Sequence, residues 1–133
     1  MKTIITKHFP AKAFESLTVW PFLFLRKDRI TSFTTKDANH EDIHGEQQKE
    51  MLLVGIVLAI VLVLSGCGWH SLLTLPIYFY WYGVEWLVRL CITRDKEKAY
   101  RGICYEREAY AHQEDFTYPK NRRHFAWVKY LKQ

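Results

Sequence analysis

The chain has 133 residues, of which 49% are hydrophobic and 16% aromatic, and its 19 Lys and Arg outnumber its 14 Asp and Glu. This composition is too apolar for a disordered chain, and three irregularly spaced cysteines exclude a disulfide scaffold or a cysteine-rich zinc module. The length predicts one domain over residues 1–133, which hydropathy divides into 1–50, 51–84 and 85–133.

The amino-terminal part is predicted to contain a pair of short strands. Residues 2–7 and 17–26 are rich in β-branched and aromatic side chains, and Pro10 lies between them. Pro21 inside the second strand has no N–H to donate, which confines it to a sheet edge or a bulge. The first ten residues lack the apolar core of a signal peptide, so we expect them to stay in the folded protein.

A long helix is predicted to follow a polar loop over residues 27–36. Thr34 followed by Asp37 is typical of a helix N-cap, with the acidic residue in the first turn. The pattern predicts a helix that starts near Asp37 and continues without interruption into the apolar residues 51–64.

Residues 51–84 contain no Asp, Glu, Lys or Arg, and a turn is indicated at residues 65–68, Ser-Gly-Cys-Gly. Two apolar arms, residues 51–64 and 69–84, therefore predict a two-span membrane hairpin, with membrane lipid as a partner. Eight Lys and Arg precede the segment and eleven follow from residue 89 onward, which places both termini in the cytoplasm at a bacterial inner membrane. The alternative is a helical hairpin buried in a soluble core.

The carboxy-terminal part is predicted to form two helices on the cytoplasmic side. Residues 95–115 form the first, Tyr118-Pro119 breaks the chain, and residues 121–131 form the second. The fold class is therefore α+β and mostly helical. The basic residues are scattered among acidic ones without a nucleic-acid-binding motif, so no nucleic-acid partner is expected.

The strongest chemical signal is His40-Glu41-Asp42-Ile43-His44, an H-E-x-x-H motif. Residues four apart lie on one face of a helix, so His40 and His44 can each direct a nitrogen at one Zn²⁺. Glu41 lies beside them, where a carboxylate can take a proton from water that zinc has made more acidic. This arrangement is typical of a metallopeptidase, with Glu41 as the catalytic residue.

A third ligand is available in the stretch Glu106-Arg-Glu-Ala-Tyr110 on the second predicted helix. Glu106 and Glu108 are two positions apart and point in nearly opposite directions, so only one of them can face the metal. His112 lies on another face from Glu106 and is a candidate for stabilising the transition state. A metzincin site is excluded, because Gln47 and Glu50 stand where that motif needs Gly and His.

The pairing of His40-Glu41-Asp42-Ile43-His44 with the later Glu106-Arg107-Glu108-Ala109-Tyr110 resembles the gluzincin metallopeptidases, in particular small membrane-associated members with short apolar helices between the motifs. The resemblance implies a minimal zincin-like fold. It implies that Glu106 is the third zinc ligand and that Tyr110 takes the position of a residue that hydrogen-bonds a ligand. It also implies a peptide or membrane-protein substrate, aligned along an edge strand, for which residues 17–26 are the candidate.

Two other functions are compatible with the same residues. The chain is small for a substrate cleft, which favours a non-catalytic, metal-binding membrane interaction protein. The third possibility is a hairpin protein in which the H-E-x-x-H motif arose by chance. The cysteines Cys67, Cys91 and Cys104 are expected at different depths and therefore as free thiols.

Overall fold

A three-stranded sheet opens the fold in a computed structural model that describes residues 1–11 and 14–132. Its strands are β1 (Lys2–Thr6), β2 (Ser16–Val19) and β3 (Phe22–Arg26), in the order β1-β3-β2. β1 runs parallel to β3, and β2 runs antiparallel to β3, so β2 has one free edge.

The predicted strand pair is wrong in one respect, because residues 17–26 do not form one strand. The chain turns at Trp20 and Pro21, so this segment forms the β2-β3 hairpin, with Val19 paired to Phe22. Proline fixes its φ angle and lacks an N–H, which suits a tight turn better than the middle of a strand. The expected partner of residues 2–7 is consequently β3 alone.

Helix α1 (Thr35–Leu64) is the longest element of the described structure and contains 30 residues. The Thr34 side chain accepts from the Asp37 N–H while the Asp37 carboxylate accepts from the Thr34 N–H, which is the capping box that the sequence indicates. The helix is polar up to Glu50 and uncharged from there to its end, as expected. One continuous helix therefore connects the H-E-x-x-H motif with the apolar segment.

The chain reverses after α1 through Gly66, whose φ of +89° favours glycine. A 3₁₀ helix (Gly68–Thr74) packs back against α1, and α2 (Ile77–Thr93) follows Pro76. Among the described residues, α1 is the one helix long and apolar enough to cross a membrane. The predicted two-span hairpin is thus wrong, because the returning arm is divided at Pro76 into a 3₁₀ helix and a shorter α-helix.

Both carboxy-terminal helices are also divided. Residues 95–115 form α3 (Lys96–Gly102) and α4 (Cys104–His112), separated at Ile103, whose ψ of 135° is extended. After α4 come α5 (Tyr118–Asn121) and a 3₁₀ helix (Ala126–Tyr130), where one helix over residues 121–131 was expected. Phe125, whose φ is +55°, lies between these two helices, directly before the 3₁₀ helix.

A mostly aromatic core holds α4 between α1, α2 and the carboxy-terminal segment. Tyr105 is fully buried, and its ring stacks on Tyr78 of α2 and meets Trp127 edge-on at 4.9 Å. Met51, Ile103, Cys104 and Tyr130 complete this core. Because Tyr105 precedes Glu106, its packing fixes the direction in which the Glu106 carboxylate points.

Candidate metal centre

The two histidines of the H-E-x-x-H motif converge on one point. His40 and His44 lie one turn apart on α1, with 3.1 Å between their Nε2 atoms. Both side chains are buried in the described structure. Two imidazole nitrogens that face each other at this distance can share a proton or bind one cation.

Glu106 of α4 completes the group. One carboxylate oxygen lies 3.2 Å from the Nε2 of His40, and the other lies 3.2 Å from the Nε2 of His44. The three ligand atoms all lie within 4.8 Å of one another. We call His40, His44 and Glu106 the His–Glu cluster. Its members come from two helices that are far apart in the sequence.

The distances in the His–Glu cluster fit a tetrahedral ion. Zinc bonds of about 2.0–2.1 Å place neighbouring tetrahedral ligand atoms about 3.3–3.4 Å apart, slightly more than the distances found here. The Oε2 atom of Glu106 is buried and lies 3.2 Å from His40 Nε2. A buried carboxylate whose two oxygens face two imidazole nitrogens is a suitable ligand set for a divalent cation.

Electrostatics keeps Glu106 ionised. Burial raises the pKa of this carboxyl group, but His44 and His40 outweigh burial and leave the pKa well below its usual range. Burial lowers the pKa of His44, but the Glu106 carboxylate, together with Glu41 and Gln47, raises it. The net result is a pKa of about 9. Glu106 is therefore already in the anionic form that a cation requires. A bound cation would replace the proton that His44 otherwise carries.

Gln47 orients His44 and was not identified from the sequence. Its Oε1 lies 2.8 Å from His44 Nδ1, and its Nε2 donates to the Tyr105 carbonyl and to Glu108. An acceptor at Nδ1 keeps one ring proton there, so the proton that a cation would replace is the one on Nε2, which faces Glu106. Its position three residues after His44 on the same predicted helix was the sequence feature that could have indicated this role.

Two tyrosines of α2 also contact the cluster. Tyr82 donates its hydroxyl to Glu106 at 2.8 Å, and the Tyr78 hydroxyl lies 3.3 Å from His44 Nδ1. Their hydroxyls face the interior of the protein, toward His44 of α1 and Glu106 of α4.

The remaining predicted site residues occupy other positions. Tyr110 lies against His40 with 4.7 Å between ring centroids, so its ring, rather than a hydrogen bond, contacts the histidine. Glu108 points away from the cluster and accepts from Tyr118 and Arg122. His112 stacks on Tyr118 and bonds the Tyr130 hydroxyl. Neither Glu108 nor His112 joins the His–Glu cluster.

Glu41 is fixed by the sheet. Ser16 Oγ donates to one of its carboxylate oxygens and Thr18 Oγ1 to the other, each at 2.6 Å. Both hydroxyls belong to β2, so the H-E-x-x-H helix and the edge strand are joined through the proposed catalytic carboxylate.

Two cavities meet at Glu41. An apolar cavity of about 380 Å³ extends past His44 and Glu106 and is bounded by Phe9, Phe14, Leu17 and Phe79. A larger one of about 590 Å³ reaches His40 on the other side and is bounded by charged residues that include Asp37, Glu97 and Arg101. The cluster is therefore accessible beside the carboxylate that would serve as a base.

Part of the free edge of β2 is already occupied. Gln48 donates to the Thr18 carbonyl at 2.7 Å and accepts from the Trp20 N–H at 2.8 Å. A side-chain amide thus takes the place that a neighbouring strand would take. These two backbone groups are therefore already paired, and the pairing of a substrate along residues 17–26 stays a prediction.

The comparisons with known proteins give no relatives. No family model, no curated protein and no solved structure matches the chain.

Proposed function

We propose that the chain is a zinc-dependent peptidase that works at the cytoplasmic face of a bacterial inner membrane. The observation that carries the proposal is the convergence of two imidazole nitrogens and a carboxylate on one buried point beside Glu41 and two cavities. His40, His44 and Glu106 would hold the ion and leave one position open. Open three-ligand sites of this kind are typical of catalytic zinc.

The residues of the chain divide the reaction between them. Zinc, when bound, makes water more acidic and polarises a carbonyl group. Glu41 takes a proton from the attacking water as the new C–O bond forms, and it returns that proton to the amide nitrogen as the C–N bond breaks. Ser16 and Thr18 keep the Glu41 carboxylate in place through both steps.

A second function is supported by a specific observation. Both oxygens of Glu41 already accept hydroxyl donors, and Gln48 covers part of the β2 edge. These contacts suit a metal-binding membrane interaction protein in which the ion stabilises the fold without catalysis. The two functions predict different effects on peptide hydrolysis when the Glu41 carboxylate is removed.

The Glu41→Gln variant separates the two functions. The amide keeps the size of the side chain but cannot act as a base, so hydrolysis should fall by at least ~10²-fold while zinc stays bound. Purified wild-type and variant protein in detergent would be compared on a fluorogenic peptide library, with zinc measured in the same samples. Glu46→Gln, on the same helix and ion-paired with Lys49, is the matched control and should keep full activity.

Equal hydrolysis by wild type and Glu41→Gln would exclude Glu41 as the base. Zinc-loaded wild-type protein without hydrolysis of any library member would favour the interaction protein.

A further inference from the structure

The two arms of the apolar hairpin contact each other at Gly55 and Thr74, several residues before the turn that joins them. Thr74 Oγ1 donates to the Gly55 carbonyl at 2.7 Å. A Cβ atom on Gly55 would lie 2.5 Å from the Thr74 carbonyl oxygen, so the two arms touch at this level. We call residues 56–73 the hairpin tip. The tip extends nine residues of α1 beyond the contact, about 14 Å at 1.5 Å per residue.

The hairpin tip is apolar on nearly all sides. Leu64 and Trp69 are 83% and 72% exposed, and no charged residue occurs between Met51 and Val84. The exposed apolar side chains of α1 are distributed around most of the helix circumference. They are Ile56, Val57, Leu58, Ile60, Val61 and Val63. A folded partner covers one stripe of a helix, whereas a fluid apolar solvent covers all of it.

Several polar groups of the hairpin tip bind one another. The N–H groups of Gly66 and Cys67 donate to the carbonyls of Val63 and Leu62, which terminates α1 in a Schellman-type turn. Ser65 Oγ donates to the Val61 carbonyl, and Ser71 Oγ donates to the Gly68 carbonyl. Water would satisfy these groups at an exposed loop, but hydrocarbon cannot, so internal pairing is required of backbone within a bilayer.

The length of the hairpin limits how far it can reach. Lys49 is the last charged side chain exposed on α1, with Glu46 as its ion-pair partner. From Lys49 to Leu64 the helix rises about 22 Å, whereas the hydrocarbon core of a bilayer is about 30 Å thick. The turn at Ser65–Gly68 has no lysine or arginine that could extend to the far surface. Although α1 as a whole is long enough to cross, its part beyond Lys49 is not, so a hairpin that keeps Lys49 at the surface ends inside the hydrocarbon.

From these observations we propose that the hairpin tip inserts into a lipid bilayer from one side and ends within the hydrocarbon, without reaching the opposite surface. The acyl chains of the lipid are the occupant of its exposed faces. Both termini then lie on the same side of the membrane. This inference is independent of the proposed hydrolysis, since it rests on the hairpin alone.

Cys67 at the turn provides a native probe of depth. It is exposed, as is Cys91, whereas Cys104 is buried. The Cys91→Ser protein would be labelled at Cys67 with an environment-sensitive fluorophore and reconstituted into vesicles of phosphatidylethanolamine and phosphatidylglycerol. Lipids brominated near the bilayer centre should quench the label, and iodide on either side of the vesicle should not. The matched control is a label at Ser32→Cys in the polar loop of a Cys67→Ser, Cys91→Ser protein, which iodide should quench.

Quenching of the Cys67 label by iodide on the side opposite the Ser32→Cys label would show a span and overturn the proposal. Quenching by iodide on the same side, or protein that remains off the vesicles, would show that the hairpin tip binds something other than lipid. A second variant tests insertion without a label. Leu64→Arg should reduce the vesicle-bound fraction at least ~10-fold, because a charge within hydrocarbon is costly, whereas Ile30→Arg in the exposed loop should leave it unchanged.

Discussion

Gln47 connects the His–Glu cluster to the interior of the molecule. Its side chain is fully buried, and its amide bonds His44 on one side and Glu108 and the Tyr105 carbonyl on the other. Since the acceptor at His44 Nδ1 holds a proton on that nitrogen, Gln47 would orient His44 as a ligand of the proposed ion without contacting the ion itself.

The Gln47→Leu variant should bind zinc about 10–100-fold more weakly, because His44 loses the hydrogen bond that orients its ring. Competition with a zinc-binding dye would measure the affinity. Gln48→Leu is the matched control, since Gln48 bonds the edge of β2 and not a histidine. Equal losses in both variants would mean that the effect comes from the fold and not from the ligand.

The sequence contains enough information for part of this centre. The four-residue spacing of His40 and His44 places both on one helix face whatever surrounds them. The same geometry shows that Glu106 and Glu108 cannot both face an ion, but only the packing of α4 decides between them. The contacts of Tyr82 and Tyr78 were not predictable, because they depend on how α2 lies beside α4.

At the scale of elements, the contact between α1 and the 3₁₀ helix Gly68–Thr74 depends on one glycine. A side chain at Gly55 would collide with backbone atoms of Thr74 and Leu75, which cannot give way as a flexible side chain could. The hairpin therefore requires glycine at this level of α1.

Gly55→Ala should separate the two arms and destabilise the protein by about 1–3 kcal/mol, the usual cost of overpacking. Gly83→Ala is the control, because a Cβ at Gly83 meets nothing within 4 Å and alanine favours the helix. Urea unfolding in detergent, followed by circular dichroism, would give both values. A stability of Gly55→Ala equal to that of wild type would contradict the close contact.

The element boundaries follow local signals where those signals are strong. The capping box at Thr34 and Asp37 predicted the start of α1 to within two residues. The breaks at Ile103 and before Phe125 have weaker local signals, Gly102 before the first of them, and coincide with tertiary hydrogen bonds. Cys104 N–H, at the first residue of α4, donates to Glu85 of α2, and Phe125 N–H donates to Glu50 of α1.

Over the whole molecule, one buried arginine joins three distant segments. Arg122, after α5, donates to Glu50 of α1 at 2.7 Å and to Glu108 of α4 at 2.8 Å. All three side chains are buried in this structure. Through Gln47 the same network reaches His44, so the carboxy-terminal segment supports the placement of the His–Glu cluster.

Arg122→Met should destabilise the protein by about 3–5 kcal/mol, because two buried carboxylates lose their only guanidinium among the described residues. The neighbouring Arg123 is exposed, and Arg123→Met should change stability by less than about 0.5 kcal/mol. Chemical unfolding of both variants under one detergent condition gives the comparison. A small effect at Arg122 would show that the network is not a determinant of the fold.

The arrangement of the whole molecule places the cluster close to the apolar segment. His44 precedes Met51 by seven residues of one helix, about 10 Å along its axis. The sheet holds Glu41 from one side, and α4 supplies Glu106 from the other. A membrane around the hairpin would therefore lie beside the proposed metal centre without covering it.

Zinc content tests the proposed metal centre most directly. Purified protein, dialysed against zinc and then against metal-free buffer, should retain about one zinc per chain by mass spectrometry of the metal. His44→Ala and Glu106→Ala should each lose it, because two remaining ligands are too few, while His8→Ala, at an exposed site, should keep it. Wild-type protein without zinc, or Glu106→Ala with zinc retained at the wild-type level, would contradict a centre formed by His40, His44 and Glu106.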